Sequence, residues 1–110
     1  MPTARMRRVN KVIMEVVGAT IGEELQDPRI GFVTVTAVDT SPDLRSAVVH
    51  VSVLGSDEDK QSTLDALWAS RGVLQRAIGS QLTMKRTPTL SFAYDDSPER
   101  AARLTRMLDT

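Results

Sequence analysis

The chain has 110 residues, 41% of them hydrophobic and 25% charged, with 14 basic and 14 acidic side chains and no cysteine. That is enough for one small domain spanning residues 1–110 with a single core, and it excludes disulfides, thiolate metal sites and thiol catalysis. No apolar run approaches the ~20 residues of a membrane-spanning helix, and the basic N-terminus lacks the apolar stretch of a secretory signal. A cytoplasmic protein with no membrane partner is the expectation.

From about Arg5 to Gln26, Val9, Ile13, Val16, Val17, Ile21 and Leu25 recur at helical spacing. The helix is expected to stop before Asp27-Pro28, because the residue preceding proline is driven out of the α region. Its charges oppose the macrodipole: Arg5, Arg7, Arg8 and Lys11 sit at the start, and Glu23, Glu24 and Asp27 at the end. Ile30 to Thr40 is rich in β-branched residues and reads as a strand, with Val33, Val35 and Ala37 alternating with Thr34, Thr36 and Val38. Ser41-Pro42-Asp43-Leu44 is a turn, and Arg45 to Leu54 is a second strand of an antiparallel hairpin. The single histidine, His50, falls in that strand, where an ordinary hydrogen bond suits it better than a metal or a catalytic triad.

Ser56 and Asp59 have the spacing of a capping box for the next helix, and Asp57, Glu58 and Asp59 suit its N-terminus. Leu64, Leu67, Trp68, Arg71, Leu74 and Ile78 then follow one helical face. Ala77-Ile78-Gly79 interrupts this pattern with small residues, which predicts a bend into a second short helix capped by Ser80. Residues 71 to 86 carry Arg71, Arg76, Lys85 and Arg86 and no acid. Two readings fit: a helix that ends where the core ends, with solvated cations, or a kink that offers helix-end amides and cations to a sugar-phosphate backbone. Thr89 to Tyr94 is the third strand, and Ser97-Pro98-Glu99 opens a last helix.

The resulting order is α-β-β-α-(kink)-α-β-α. A helical crossover makes the third strand parallel to the second, which places the second strand centrally in a three-stranded mixed sheet with helices on one face. This is an α+β, type II KH-like topology. The two acid-free basic blocks mark a candidate RNA-binding set: Arg5, Arg7, Arg8, Lys11, Arg71, Arg76, Lys85 and Arg86. Aromatic residues are few, and Trp68, Phe32 and Phe92 read as packing residues, so recognition of RNA backbone and shape is expected over a base code. An enzyme would have to use Asp95-Asp96 with Asp39 or Asp43, yet acids before Ser-Pro also describe a helix start. No catalytic residue, metal site or cofactor is assigned.

The segments RMRRVNKVIMEVVG, LQDPRIGFVTVTAVDTSPDLRSAVVHVSVLG and LDALWASRGVLQRAIGSQLTMKRTPTLSFAYDDS, taken together and in order, resemble the ribosome-binding factor A family. The resemblance covers nearly the whole chain. It implies a type II KH fold whose glycine loop is replaced by an Ala-x-Gly kink, matched here by Ala77-Ile78-Gly79. It also implies a non-catalytic assembly factor that binds small-subunit rRNA in immature small ribosomal subunits. Assistance to late rRNA processing and folding, and importance for growth in the cold, go with it. A monomer is the expectation for the chain. A generic RNA-binding or protein-interaction module of KH-like fold is the alternative.

Overall fold

The structure, a computed structural model, describes residues 2–95. Helix α1 (Ala4–Glu23) precedes strands β1 (Val33–Thr40) and β2 (Ser46–Val53), then α2 (Asp57–Ala69), α3 (Arg71–Gln81) and β3 (Thr89–Tyr94). The sheet order is β1-β2-β3, antiparallel between β1 and β2 and parallel between β2 and β3. This is the expected mixed sheet with a central second strand. The anticipated last helix lies outside the described residues.

Alternation along β2 turns Ala47, Val49, Val51 and Val53 into the core. Leu90 and Phe92 continue that face on β3. The helices cover it with Met6, Val9, Ile13 and Val17 of α1, Leu67 of α2, and Leu74 and Ile78 of α3. Ile13, Leu67, Leu74 and Ile78 are fully buried, each stabilising the fold by about 1.5–3 kcal/mol relative to exposure. Thr3 caps α1 by accepting from the Met6 amide at 3.1 Å. Ser56 and Asp59 form the anticipated capping box, with Ser56 N–H donating to Asp59 Oδ2 at 2.9 Å and Asp59 N–H to Ser56 Oγ at 3.1 Å.

Three expectations are corrected. The helical pair does not bend at Ala77-Ile78-Gly79. It breaks at Ser70, whose N–H donates to the Ala66 and Leu67 carbonyls while its own carbonyl accepts from Leu74. Its ψ of 7° ends α2 and starts α3. Ala77, Ile78 and Gly79 lie inside α3, Gly79 does not take a positive φ, and Ser80 donates back to Ala77 O at 2.8 Å instead of capping a new helix. Burial of Ile78 in the core offsets the roughly 1 kcal/mol that glycine costs in a helix.

The alternation of β1 also fails midway. Val35 pairs with Val51 and Ala37 with His50, leaving Thr36 as an extra residue in a β-bulge. The bulge reverses the faces, so Val38 and Thr40 are buried where Ala37 was expected. Finally, Phe32 and Trp68 are surface residues. Phe32 precedes β1 and is 82% exposed, and Trp68 is 45% exposed at the end of α2, meeting Phe92 edge to face at 5.2 Å. Only Phe92 packs as expected.

Candidate nucleic-acid interface

The hairpin turn and the chain between α3 and β3 meet the start of α1 at one end of the sheet. In the turn, Asp43 Oδ1 accepts from Ser41 Oγ at 2.6 Å and from the Arg45 amide at 3.0 Å. These bonds hold the Asp43 carboxyl below the usual carboxylate range, the Ser41 hydroxyl contributing most. Leu44 adopts a left-handed φ of 59° and buries its side chain. Arg45 follows on the exposed side, and its carbonyl accepts from the Thr89 amide at 2.9 Å, which ties the turn to β3. Gln75 of α3 braces the same region by donating to Pro88 O and accepting from the Leu90 amide. Pro88 is buried and Met84 partly so, which leaves Lys85 and Arg86 outward.

Arg5, Asp43, Leu44, Arg45, Met84, Lys85 and Arg86 line one shallow groove of about 450 Å³. Four cations there face one carboxylate that is already committed to hydrogen bonds. A second groove of about 320 Å³ shares Arg5 and Met84 and adds Arg8, so the surface continues along α1. The two basic blocks thus converge through Arg5, Arg8, Lys85 and Arg86, although about eighty residues separate them in the chain. Arg45 joins them. Its sequence signal was weak, because one cation beside Asp43 in a turn looks neutral until Leu44 turns it outward.

The other candidates are elsewhere. Arg7 donates to Pro2 O at 3.0 Å. Lys11 lines an apolar groove with Met14, Glu15 and Val33 beside β1. Arg76 shares a groove of about 430 Å³ with Glu23 and Glu24 at the far end of α1. The Arg71 guanidinium lies 5.8 Å from the Trp68 ring centroid, and its Nε is shielded from solvent with no hydrogen-bond partner.

The described carboxylates of the enzyme alternative are dispersed into separate structural roles, and Asp96 lies outside the described residues. Asp39 Oδ2 lies 2.9 Å from His50 Nε2, Asp43 holds the turn, and Asp95 accepts from Thr36. Among the described residues no three His, Asp or Glu side chains cluster as a metal site, and no helix is long and apolar enough to cross a membrane.

The model of the ribosome-binding factor A family matches residues 5–108. The chain belongs to this family. A ribosome-binding factor A from Thermomicrobium roseum is 42% identical over 108 residues, covering 98% of this chain and 84% of that protein. The crystal structure of ribosome-binding factor A from Thermus thermophilus superposes with a TM-score of 0.71 at 26% identity, over 81% of this chain and 94% of that one. A Thermus thermophilus ribosome-binding factor A homology model, fitted into the cryo-electron-microscopy map of its complex with the 30S particle, gives 0.60 at 27% identity, over 83% and 91%. Ribosome-binding factor A membership and the basic groove are independent observations, one from the whole sequence and one from the placement of five side chains.

Proposed function

We propose that this chain is a non-catalytic assembly factor, one domain acting as a cytoplasmic monomer, that binds immature small ribosomal subunits through the rRNA backbone. The observation that carries this reading is the groove in which Arg5, Arg45, Lys85 and Arg86 converge in a chain of zero net charge. A polyanion gains from such a local field although the whole molecule is neutral. Family membership supplies the ribosomal context, and the complex of the Thermus relative with the 30S particle points to the small subunit.

A factor that prefers one rRNA conformer shifts the folding equilibrium only by its differential affinity, about 1.4 kcal/mol per tenfold preference. Assistance to late rRNA processing and folding is then a matter of holding the precursor conformer while the rest of the particle assembles. Cold slows escape from misfolded rRNA, so loss of the factor is felt most at low temperature. The test is binding to precursor and mature subunits at matched salt. Tighter binding to precursors, with a cold-sensitive rRNA-processing defect on deletion, is the expected result. Equal affinity and no defect would leave a generic RNA binder.

A further inference from the structure

The end of the sheet opposite the basic groove carries the most exposed large apolar side chains of the described chain, Phe32 at 82% and Leu54 at 54%. They are neighbours, because the Leu54 amide donates to Phe32 O at 3.1 Å just past the Val33–Val53 pair. The turn that leads into Phe32 is held by local bonds. Ile30 N–H donates to Asp27 O at 3.0 Å, the Arg29 guanidinium is bidentate on Asp27 through Nε to Oδ1 and Nη2 to Oδ2, and the buried Thr63 hydroxyl donates to Arg29 O at 3.3 Å. On the other side Gly55, at φ 142°, brings Asp59 close enough to cap α2. An exposed phenylalanine on a fixed base is preorganised for insertion into a pocket.

The surrounding charge selects the partner. Glu23 and Glu24 end α1, and Asp57, Glu58 and Asp59 begin α2, all exposed at this end of the molecule. The local cations are engaged: Arg29 is paired with Asp27, Lys60 lies 4.8 Å over the Tyr94 ring and 3.8 Å from Asp57, and Arg76 lines a groove with Glu23 and Glu24, so the exposed acids still outnumber the free cations. Exposed carboxylates repel phosphates, so this is the wrong surface for RNA despite its aromatic ring. An apolar anchor inside an acidic rim complements a basic protein that offers an apolar pocket.

We propose that Phe32 and Leu54 anchor this protein to a basic protein component of the immature small subunit, while the opposite end holds rRNA. The proposal rests on the assembly-factor reading for its setting. It makes the molecule a two-ended bridge, with RNA on the Arg5–Arg86 end and protein on the Phe32 end.

Two measurements test it with the intact chain. The first compares wild type with Phe32→Ser/Leu54→Ser on protein-free small-subunit rRNA and on purified immature subunits. The expected result is unchanged rRNA binding and roughly tenfold or greater weakening on subunits, as truncation of an interface hot spot produces. Equal weakening on both would make the patch an RNA contact, and no weakening on either would remove it from the interface; each overturns the proposal. The second replaces Phe32 with a photoreactive benzoylphenylalanine, which does not depend on the fold of the serine variant. Cross-links to a basic subunit protein support the proposal; cross-links to rRNA or to a second copy of this chain overturn it. Wild type that binds subunits through Phe32 but shows no affinity for rRNA would sink the rRNA reading and keep this one, whereas wild type that binds neither sinks both.

Discussion

Thr36 Oγ1 lies 2.5 Å from Asp95 Oδ2, a contact between the bulge in β1 and the residue that follows β3, reaching past the intervening β2. The same hydroxyl is 3.2 Å from His50 O. Asp95 is 7% exposed, and its amide donates to Val51 O at 2.7 Å, so the end of β3 is fixed to both other strands. The extra residue in β1 is what brings the threonine to this carboxylate. Thr36→Val keeps the side-chain shape and removes the proton donor. It is expected to lower stability by about 1–3 kcal/mol in urea unfolding. Thr34→Val, at an exposed position two residues earlier, is expected to stay within about 0.5 kcal/mol of wild type. Equal effects of the two would show that Thr36 acts only through β propensity.

Legibility of the sequence followed the range of the cause. Local signals were enough for the Ser56–Asp59 cap, the hairpin and the limits of β3. The bulge was hidden because the contact it makes possible, Thr36 with Asp95, spans fifty-nine residues. The helix break was misplaced for a different reason. Leu67 and Leu74 are seven residues apart, close to two full turns, so the apolar period runs unbroken through Ser70. Ser70-Arg71-Gly72 offers the same small-x-Gly spacing as Ala77-Ile78-Gly79, and burial of Leu74 and Ile78 together on one face of α3 keeps the second triplet helical. The candidate interface was half legible. Acid-free blocks identified Arg5, Arg8, Lys85 and Arg86, but charge order along a chain does not say that Arg76 faces Glu23 and Glu24 or that Arg45 turns outward.

Two glycines give a prediction with opposite signs. Gly55 has φ 142°, and a Cβ built there would lie 2.4 Å from Asp59 Oδ2. Gly55→Ala is expected to destabilise by about 1–3 kcal/mol through backbone strain, with the α2 cap displaced. Gly18 is exposed in the middle of α1 with nothing within 4 Å of an added Cβ. Gly18→Ala is expected to stabilise by about 0.5–1 kcal/mol. Thermal or denaturant unfolding of the two variants reads both signs, and a stable Gly55→Ala would contradict the strained geometry.

Asp27 supplies a pH prediction. Its carboxylate accepts from the Arg29 side chain and amide, which lowers its pKa from 3.8 to about 2. A depressed folded-state pKa means that the pair's contribution is complete above about pH 4 and is lost as pH falls towards 2. The pair faces solvent, so the effect is small and screened by salt. Carbon-detected titration is expected to place the Asp27 midpoint well below that of an ordinary aspartate, and Arg29→Ala should return it towards 3.8. A wild-type midpoint near that ordinary value would show that the bidentate pair does not persist in solution.

The basic side chains divide into two groups, and salt separates them. Arg5, Arg45, Lys85 and Arg86 share one groove, whereas Arg76 faces Glu23 and Glu24 and Arg71 packs on Trp68. Each phosphate contact releases counterions, so its loss reduces the slope of log K against log salt by roughly 0.7 on single strands and 0.9 on duplex. Lys85→Ala/Arg86→Ala is therefore expected to weaken rRNA binding at low salt and to flatten the slope by roughly 1.4 to 1.8. Adding Arg45→Ala should flatten it further, since the turn holds that side chain at the same groove. Arg76→Ala should leave the slope unchanged, because it lines a different groove, shared with this protein's own Glu23 and Glu24. The inverse pattern, with Arg76 setting the slope and Lys85/Arg86 neutral, would move the rRNA from the hairpin end of the sheet to the α1–α3 groove.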